Sequence, residues 1–192
     1  QRLERCDQIG TCCRPLATTI RDEVRRLDLI VRGFLDLARP RFGPHVESDA
    51  AEIVRDVLDV LGPEAHSRGV ALHVAHVGST IASMDREAVR RAIVNLVRNA
   101  MQASSSGSAI DVRVSGDGST VRVEVADRGG GLDPALGDHA FDPFVTGRAE
   151  GTGLGLALVR RVAEDHGGWA TLMNRPDGGV EAVLELRRGG PP

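Results

Sequence analysis

Apolar residues in the first forty positions recur at intervals of seven. One line of this repeat consists of Cys6, Cys13, Ile20, Leu27 and Phe34. A second line, three positions further on, consists of Ile9, Leu16, Ile30 and Leu37. Glu23 interrupts the second line, but Val24 beside it can take that position. The pattern predicts a helix over residues 16–38 that packs in a helical bundle; the alternative is an amphipathic helix docked on its own domain.

Prolines delimit this helical region. Pro15 either begins the helix in its first turn or kinks a longer helix. Pro40, Gly43 and Pro44 end the helix and form a short linker. The sequence therefore predicts four parts, which are a partial helical region at 1–40, a linker at 41–44, a compact domain at 45–188 and a tail at 189–192.

Beyond the linker, helical and strand periodicities predict a compact α+β domain. Helices are predicted from a cap at Ser48 to about Ser67, from a cap at Asp85 over 87–103, and from about Leu154 to His166. Strands are predicted at 70–77, 80–84, 109–116, 120–127, 168–175 and 179–187. Asp117 and Gly118 form a hairpin turn between 109–116 and 120–127.

A Gly- and Pro-rich segment at 129–152 has little periodicity. Loops of that length inside a compact domain are usually functional lids or disordered segments. Its stretch FDPFVTGR contains Phe141 and Phe144, although only 3% of the chain is aromatic. These two rings either pin a lid to the domain when a ligand is bound or anchor an ordinary loop.

Composition and charge narrow the class of protein. With 192 residues and 41% hydrophobic content the chain can bury a substantial core. Its net charge of −3 gives no reason to expect nucleic-acid binding, and no run reaches the roughly 18 apolar residues of a membrane span. No signal peptide opens the sequence, and Cys6, Cys12 and Cys13 fit neither a zinc site nor a disulfide framework. We therefore expect a soluble, cytoplasmic chain with reduced thiols.

Three alternating glycines in GTGLGL, residues 151–156, lie at the start of the last predicted helix. Glycine lets the backbone approach a ligand closely, and a helix start presents unpaired N–H groups with partial positive charge. The stretch is therefore either an anion site suited to phosphate or a Gly-rich surface turn.

Two asparagines, Asn95 and Asn99, lie four residues apart on one face of the predicted helix 87–103. Asparagine is a poor residue in the middle of a helix. Either these side chains bridge neighbouring elements, or they offer oxygen ligands to a hard cation such as Mg²⁺.

Asp127 ends a predicted strand and begins DRGGGL. A carboxylate there can accept the exocyclic amine of adenine, whereas the carbonyl of guanine would be repelled, and the following glycines let a flat base lie on the backbone. The alternative is an aspartate in an ordinary turn.

The ordered set NLVRNAMQA, DRGGGL, FDPFVTGR and GTGLGL resembles the N, G1, F and G2 boxes of the sensor histidine kinases. These belong to a superfamily that includes type II topoisomerase, mismatch-repair and heat-shock chaperone ATPases. The resemblance extends from about Ser48 to Arg187. Upstream, EVRRLDLIVRGFLDLARP resembles the second helix of the dimerisation and histidine-phosphotransfer hairpin, particularly in nitrogen-regulation-type kinases. Together, these two resemblances imply a two-layer α/β sandwich of the histidine kinase ATPase type, preceded by a helix of a dimerisation bundle.

This resemblance implies ATP and Mg²⁺ as cofactors. Asn99 would ligate the Mg²⁺ that bridges the phosphates, Asn95 would support the phosphate side, and Asp127 would select adenine. Arg148 stands where such lids often carry Lys, and it is implied to clamp phosphate with a different geometry. The other residues implied to bind nucleotide are Gly129, Gly131, Phe144, Thr146, Gly151, Thr152, Gly153, Leu154 and Gly155.

Position 95 departs from the ATPases of the superfamily, which typically have a Glu there as general base. Asn95 cannot accept that proton, so the resemblance favours phosphoryl transfer to a nucleophile such as a histidine imidazole over hydrolysis. The acceptor motif, a His followed by an acidic residue on the first hairpin helix, is absent from this sequence. Either the chain is a fragment or it has lost its acceptor.

The resemblance implies the ATP-binding catalytic region of a two-component sensor histidine kinase. The γ-phosphoryl group would pass to a His outside this chain and then to an Asp of a response regulator receiver domain. A homodimer would form through the N-terminal helical region, without contact to nucleic acid or membrane, although the parent protein could be membrane-anchored. The alternative is a degenerate kinase that acts as a nucleotide-binding dimerisation or regulator-docking module.

Overall fold

A computed structural model of the chain describes residues 18–21, 23–24, 31, 43–148 and 151–189. Most of the predicted helix 16–38 lies outside these residues, as do the three cysteines, Pro15, Pro40 and the end of the tail. The described residues up to position 31 are helical. Ile20 and Val24 on this helix are 57% and 58% exposed. The predicted division of the chain into four parts stays a prediction.

Two β-sheets are built from the described residues. Their strands are β1 (Val46–Asp49), β2 (Ala71–Val77), β3 (Ile81–Met84), β4 (Ala109–Gly116), β5 (Thr120–Ala126), β6 (Trp169–Asn174) and β7 (Val180–Arg187). The large sheet has the order β2-β4-β5-β7-β6, in which β2 and β4 are parallel and the other neighbours antiparallel. The short strands β1 and β3 form a separate antiparallel ribbon.

Helices form the second layer. They are α1 (Ala50–Ser67), α2 (Arg86–Ala103) and α3 (Gly155–Asp165), with a short 3₁₀ helix at Gly137–Phe141. The three α-helices contribute to one core with alternate residues of the sheet, such as Val112 and Val114 on β4 and Val123 on β5. The result is the predicted two-layer α+β sandwich. Within the described ranges, no helix is long and apolar enough to cross a membrane.

The predicted cap of α1 is wrong by one residue. Asp49 is the N-cap, because its Oδ1 accepts a hydrogen bond from Ala51 N at 2.9 Å. Ser48 instead lies in β1 opposite Ala82, and its hydroxyl donates to Val46 O. Strand β1 was not predicted, since its four residues owe their extended backbone to pairing with β3 rather than to their own periodicity.

His166, directly after α3, is a fully buried polar residue that connects α2, α3 and His45, the residue after the predicted linker. Its Nδ1–H donates to Val162 O at 2.7 Å, and its Nε2 accepts from Asp85 N at 3.0 Å. The His45 ring stacks on it with 4.4 Å between ring centroids. Because Asp85 caps α2, this one neutral imidazole joins the start of α2 to the end of α3.

Acidification is expected to destabilise the domain through His166. Burial lowers its pKa below the ordinary value of 6.5, and nearby His45 acts in the same direction. The unfolded chain therefore binds more protons between that lowered pKa and 6.5, and the free energy of unfolding falls as the pH drops through this window. Urea unfolding between pH 7.5 and 5.5 measures the slope.

The matched control for this prediction is His73→Gln, which replaces an exposed imidazole on β2. The pH slope should persist in His73→Gln and flatten in His166→Gln, even though the latter is less stable overall. An unchanged slope in His166→Gln would contradict the assignment of this pH dependence to the buried imidazole.

Candidate functional site

Helix α2 carries both asparagines of the predicted site. Its start is strongly defined, since Asp85 Oδ1 accepts from Glu87 N and Ala88 N, both at 3.0 Å. Asn95 and Asn99 lie one turn apart in the second half and are half-buried. Asn95 Nδ2 donates to Arg91 O at 2.9 Å, so the amide nitrogen is used within the helix and the oxygen remains available.

The start of α3 meets α2 at Asn95. A Cβ added at Gly155 would lie 2.8 Å from Asn95 Oδ1, so only glycine fits this approach without a shift. Leu154, the residue before Gly155, is buried and gives the helix no side-chain cap. Because the first N–H groups of a helix lack intrahelical partners, those of α3 are oriented to bind an anion beside Asn95.

Asp127 follows β5 and is only 5% exposed. Its Oδ1 accepts hydrogen bonds from Gly129 N at 2.8 Å and from Val180 N at 3.2 Å. Among the described residues no donor uses Oδ2, which leaves that oxygen to face a ligand. The carboxylate is therefore held by backbone donors in one orientation, as a selective acceptor requires.

The turn after Asp127 lies against the end of α2. A Cβ added at Gly129 would collide with the carbonyl group of Ala103, the last residue of α2. Two residues on, Gly131 adopts φ +85° and faces the side chain of Asn174 at the end of β6. DRGGGL thus forms a turn, defined here as residues 127–132, between α2 and the β6–β7 connection.

A backbone contact closes the loop between FDPFVTGR and GTGLGL. Phe144 N donates to Gly153 O at 3.1 Å, and a side chain on Gly153 would collide with the Phe144 backbone. Phe144 itself has a left-handed φ of +66°, which a residue with a bulky side chain adopts rarely, and its side chain is 56% exposed. Phe141 differs, because its buried ring packs in the core beneath the guanidinium of Arg160.

Small polar contacts organise the rest of this loop. Thr146 Oγ1 accepts from Arg148 N at 3.1 Å, and Gly151 lies so near to Thr146 that a Cβ would collide with the hydroxyl. Thr152 Oγ1 lies 3.5 Å from Leu154 N at the start of α3. Thr146 and Gly151 therefore lie side by side, while Thr152 lies against the start of α3.

Arg148 lies over the second half of α2. Its guanidinium donates to the side chain of Gln102 and, at 3.1 Å, to Asn99 O. The last turn of α2 has no basic residue of its own, so Arg148 places a cation at the negative end of the helix dipole. It is exposed, and it bonds to the backbone oxygen of the same residue, Asn99, whose side chain the resemblance assigns to Mg²⁺.

These contacts bring the four predicted motifs together on one half of α2. Gly155 meets Asn95, Arg148 meets Asn99 and Gln102, and Gly129 meets Ala103. Sequence reasoning missed Gln102, Asn174 and Arg175, all of which contact predicted site residues or their turn. No local signal marks them, since each contact joins residues more than 40 positions apart.

A triphosphate and Mg²⁺ fit the donor set at this half of α2. The open N–H groups at the start of α3 and the guanidinium of Arg148 suit anionic oxygens. The Asn99 side chain makes no hydrogen bond to another described residue, so its amide oxygen is available to a hard cation. Gly129, Gly153 and Gly155 let the surrounding segments approach one another closely, because a side chain at each position would collide with a neighbouring protein group.

A second group of metal-ligand types lies elsewhere but is structural. Within the described ranges, His45, Asp165 and His166 have ligand atoms within 4.8 Å of one another. Both ring nitrogens of His166 already bond to backbone groups, and His45 Nε2 bonds to Asp165 at 3.2 Å. A metal would have to break these bonds, so this cluster instead joins the segment before β1 to the end of α3.

Comparison with known proteins identifies one family and several relatives. The family model described as histidine kinase-, DNA gyrase B- and HSP90-like ATPase matches residues 84–190. The C4-dicarboxylate transport sensor protein DctS of Rhodobacter capsulatus is 31% identical over 85% of this chain and 26% of its own length. The sensor histidine kinase ZraS of Escherichia coli is 32% identical over 89% of this chain and 37% of its own length. The chain thus spans little more than a third of these relatives, at most.

Solved structures share the fold. The catalytic domain of histidine kinase ThkA has a TM-score of 0.71 and 27% identity, over 77% of this chain and 97% of that one. ThkA in complex with the response regulator TrrA has a TM-score of 0.77 and 24% identity, over 91% of this chain and 51% of that one. The α+β class and the two-layer architecture are confirmed.

Proposed function

Because this chain belongs to the histidine kinase-, DNA gyrase B- and HSP90-like ATPase family, as the catalytic domain of a sensor histidine kinase, we propose that it binds Mg-ATP and phosphorylates a histidine outside the chain. The observation that carries the proposal is the convergence of four motifs on the half of α2 that begins at Asn95. The nitrogen-regulation subfamily stays a prediction.

In this proposal, one group of residues contacts the base of the nucleotide and another group contacts its phosphates. Asp127 accepts the adenine amine through Oδ2, while Gly129 and Gly131 form the surface against the base. The N–H groups at the start of α3 and the Arg148 guanidinium bind the phosphates. Phe144, Thr146, Gly151, Thr152 and Gly153 shape the loop that borders them.

Asn99 is the proposed protein ligand of Mg²⁺. When bound there, Mg²⁺ would supply charge neutralisation at the phosphates. A single amide oxygen is enough, because Mg²⁺ usually keeps several waters and takes its other ligands from the phosphates. Asn95, one turn earlier, offers its oxygen beside the start of α3, where it supports the phosphate side.

The proposed reaction needs no general base from this chain. A neutral imidazole nitrogen of the acceptor attacks the γ-phosphorus with its own lone pair, and the bond to the β–γ bridging oxygen breaks to release ADP. Asn95 cannot take a proton, which matches transfer to histidine and disfavours hydrolysis. The chain's contribution is to position the phosphates and to place cationic groups around them.

Partners follow from the same assignment. A response regulator receiver domain is the proposed recipient of the phosphoryl group, and the solved complex of ThkA with TrrA supports this class of partner. The exposed Ile20 and Val24 on the N-terminal helix support a homodimer that covers this apolar line.

Calorimetric titration tests the proposed function directly. We expect Mg²⁺-dependent binding of ATP, much weaker binding of GTP, and no sustained phosphate release by the chain alone. With an acceptor hairpin that carries the histidine added to the assay, ATP should yield acid-labile, base-stable phosphohistidine. The absence of binding by every nucleotide would overturn the proposal and favour a regulator-docking module without nucleotide chemistry, while steady hydrolysis would indicate an ATPase.

A further inference from the structure

The connection between β6 and β7, residues 174–180, lies across the turn 127–132. Asp127 N donates to Val180 O at 2.9 Å, and Val180 N donates back to Asp127 Oδ1 at 3.2 Å. Gly179 approaches so closely that a side chain there would collide with the Asp127 carbonyl. This connection therefore contacts both the backbone and the carboxylate of the proposed adenine acceptor.

Asn174 extends the edge of the sheet with its side chain. Its Oδ1 accepts from Leu132 N at 2.6 Å, and its Nδ2 donates to Leu132 O at 3.0 Å. An amide side chain has the donor and acceptor of a peptide group, so it pairs with both polar groups of one residue, as a neighbouring strand would. Gly131, which is part of the proposed base surface, precedes Leu132, and a Cβ added there would lie 3.1 Å from Asn174 Oδ1.

Arg175 holds the other end of the same turn. Its Nη1 donates to Asp127 O at 2.7 Å, a charge-assisted hydrogen bond of short length. Its backbone is held in turn, since Arg175 N donates to Gly179 O and Gly178 N donates to Arg175 O. The guanidinium therefore extends from a closed turn to the backbone of Asp127.

We propose that Asn174 and Arg175 are positioning residues that hold the turn 127–132 in the shape that accepts adenine. The proposal rests on the nucleotide-binding function proposed above. Neither residue is needed for the hydrophobic core, since Asn174 is exposed and Arg175 is half-buried. Instead, their side chains bond to backbone atoms at the two ends of the turn 127–132. What they stabilise is the relative position of Asp127 and Gly131, which are proposed to contact the amine edge and a face of the base.

The experiment separates the base from the phosphates by using three probes. ATP, GTP and magnesium tripolyphosphate are titrated into wild type, Asn174→Ala, Arg175→Ala and Arg175→Lys. Losing one or two net hydrogen bonds should weaken ATP binding about fivefold to tenfold. Tripolyphosphate binding should be unchanged, because the start of α3 and Asn99 are untouched. Arg175→Lys should recover part of the loss, since an ammonium group still donates to a carbonyl.

Asp177→Ala is the matched control, because it alters an exposed side chain of the same connection. An equal loss for all three probes, or no loss for ATP in either alanine variant, would overturn the positioning role while leaving wild-type ATP binding intact. If wild type bound tripolyphosphate but did not distinguish ATP from GTP, the adenine assignment would fail together with this inference.

Discussion

Replacing Asn99 by alanine should abolish the Mg²⁺ dependence of nucleotide binding and reduce phosphoryl transfer by at least about 100-fold. The proposed site has one protein oxygen for the cation, and alanine removes it without altering the backbone of α2. The fold should persist, because alanine favours a helix and the Asn99 side chain is only half-buried. In the variant, ATP should bind with the same affinity in Mg²⁺ and in EDTA.

Arg98→Ala is the control for Asn99→Ala. Arg98 is the preceding residue on α2, and its exposed guanidinium lies 3.5 Å from Glu64 rather than at the site. It should retain Mg²⁺-dependent binding and phosphoryl transfer to the added acceptor hairpin. Normal phosphorylation by Asn99→Ala would show that the metal is held by other groups, and the assignment of Asn99 would then be wrong.

Asp127→Asn should reverse the preference between ATP and GTP. An amide can still accept from Gly129 N and Val180 N with its oxygen, so its nitrogen takes the place of Oδ2. That nitrogen is a hydrogen-bond donor. Against adenine it would face the exocyclic amine, which is also a donor, whereas against guanine it would face a carbonyl that can accept from it. We expect ATP affinity to fall about 100-fold, because a charged acceptor is lost and a buried donor is left unpaired.

The measurement is the ratio of ATP to GTP dissociation constants in wild type, Asp127→Asn and the control Asp59→Asn. Asp59 is an exposed residue of α1, so the control makes the same chemical change away from the site. Thermal unfolding of each variant checks that the domain remains folded. An unchanged ratio in Asp127→Asn would mean that another group selects the base.

Local patterns predicted most of the elements. Asp85 begins α2 as expected, and the apolar residues of that helix face the core at the predicted helical spacing. Strands β4 and β5 alternate between buried and more exposed positions as their sequences indicate. These predictions succeeded because each helix or strand is determined by a feature within its own segment, either a capping residue or a periodic apolar face. The sequence did not predict β1, because the extended backbone of this strand depends on its pairing with β3.

The site was predicted through residue types and the order of motifs, and the roles of its residues stay predictions. Asn174 and Arg175 were assigned only to the end of a strand, and Gln102 only to the end of a helix. Their contacts join residues 42, 48 and 46 positions apart, and an exposed polar residue carries no sign of a distant backbone partner. The sequence likewise could not indicate that Phe141 is buried while Phe144 is exposed.

By itself the sequence determined the three α-helices of the compact domain, every strand except β1, the order of the motifs and the chemical groups that they offer. Only the tertiary structure decided that β5 lies beside β7, which brings Asp127 to Val180, and that three loops meet one half of α2. The physical reason is that periodicity records which face of an element is buried. Which element covers that face depends on the packing of the whole chain.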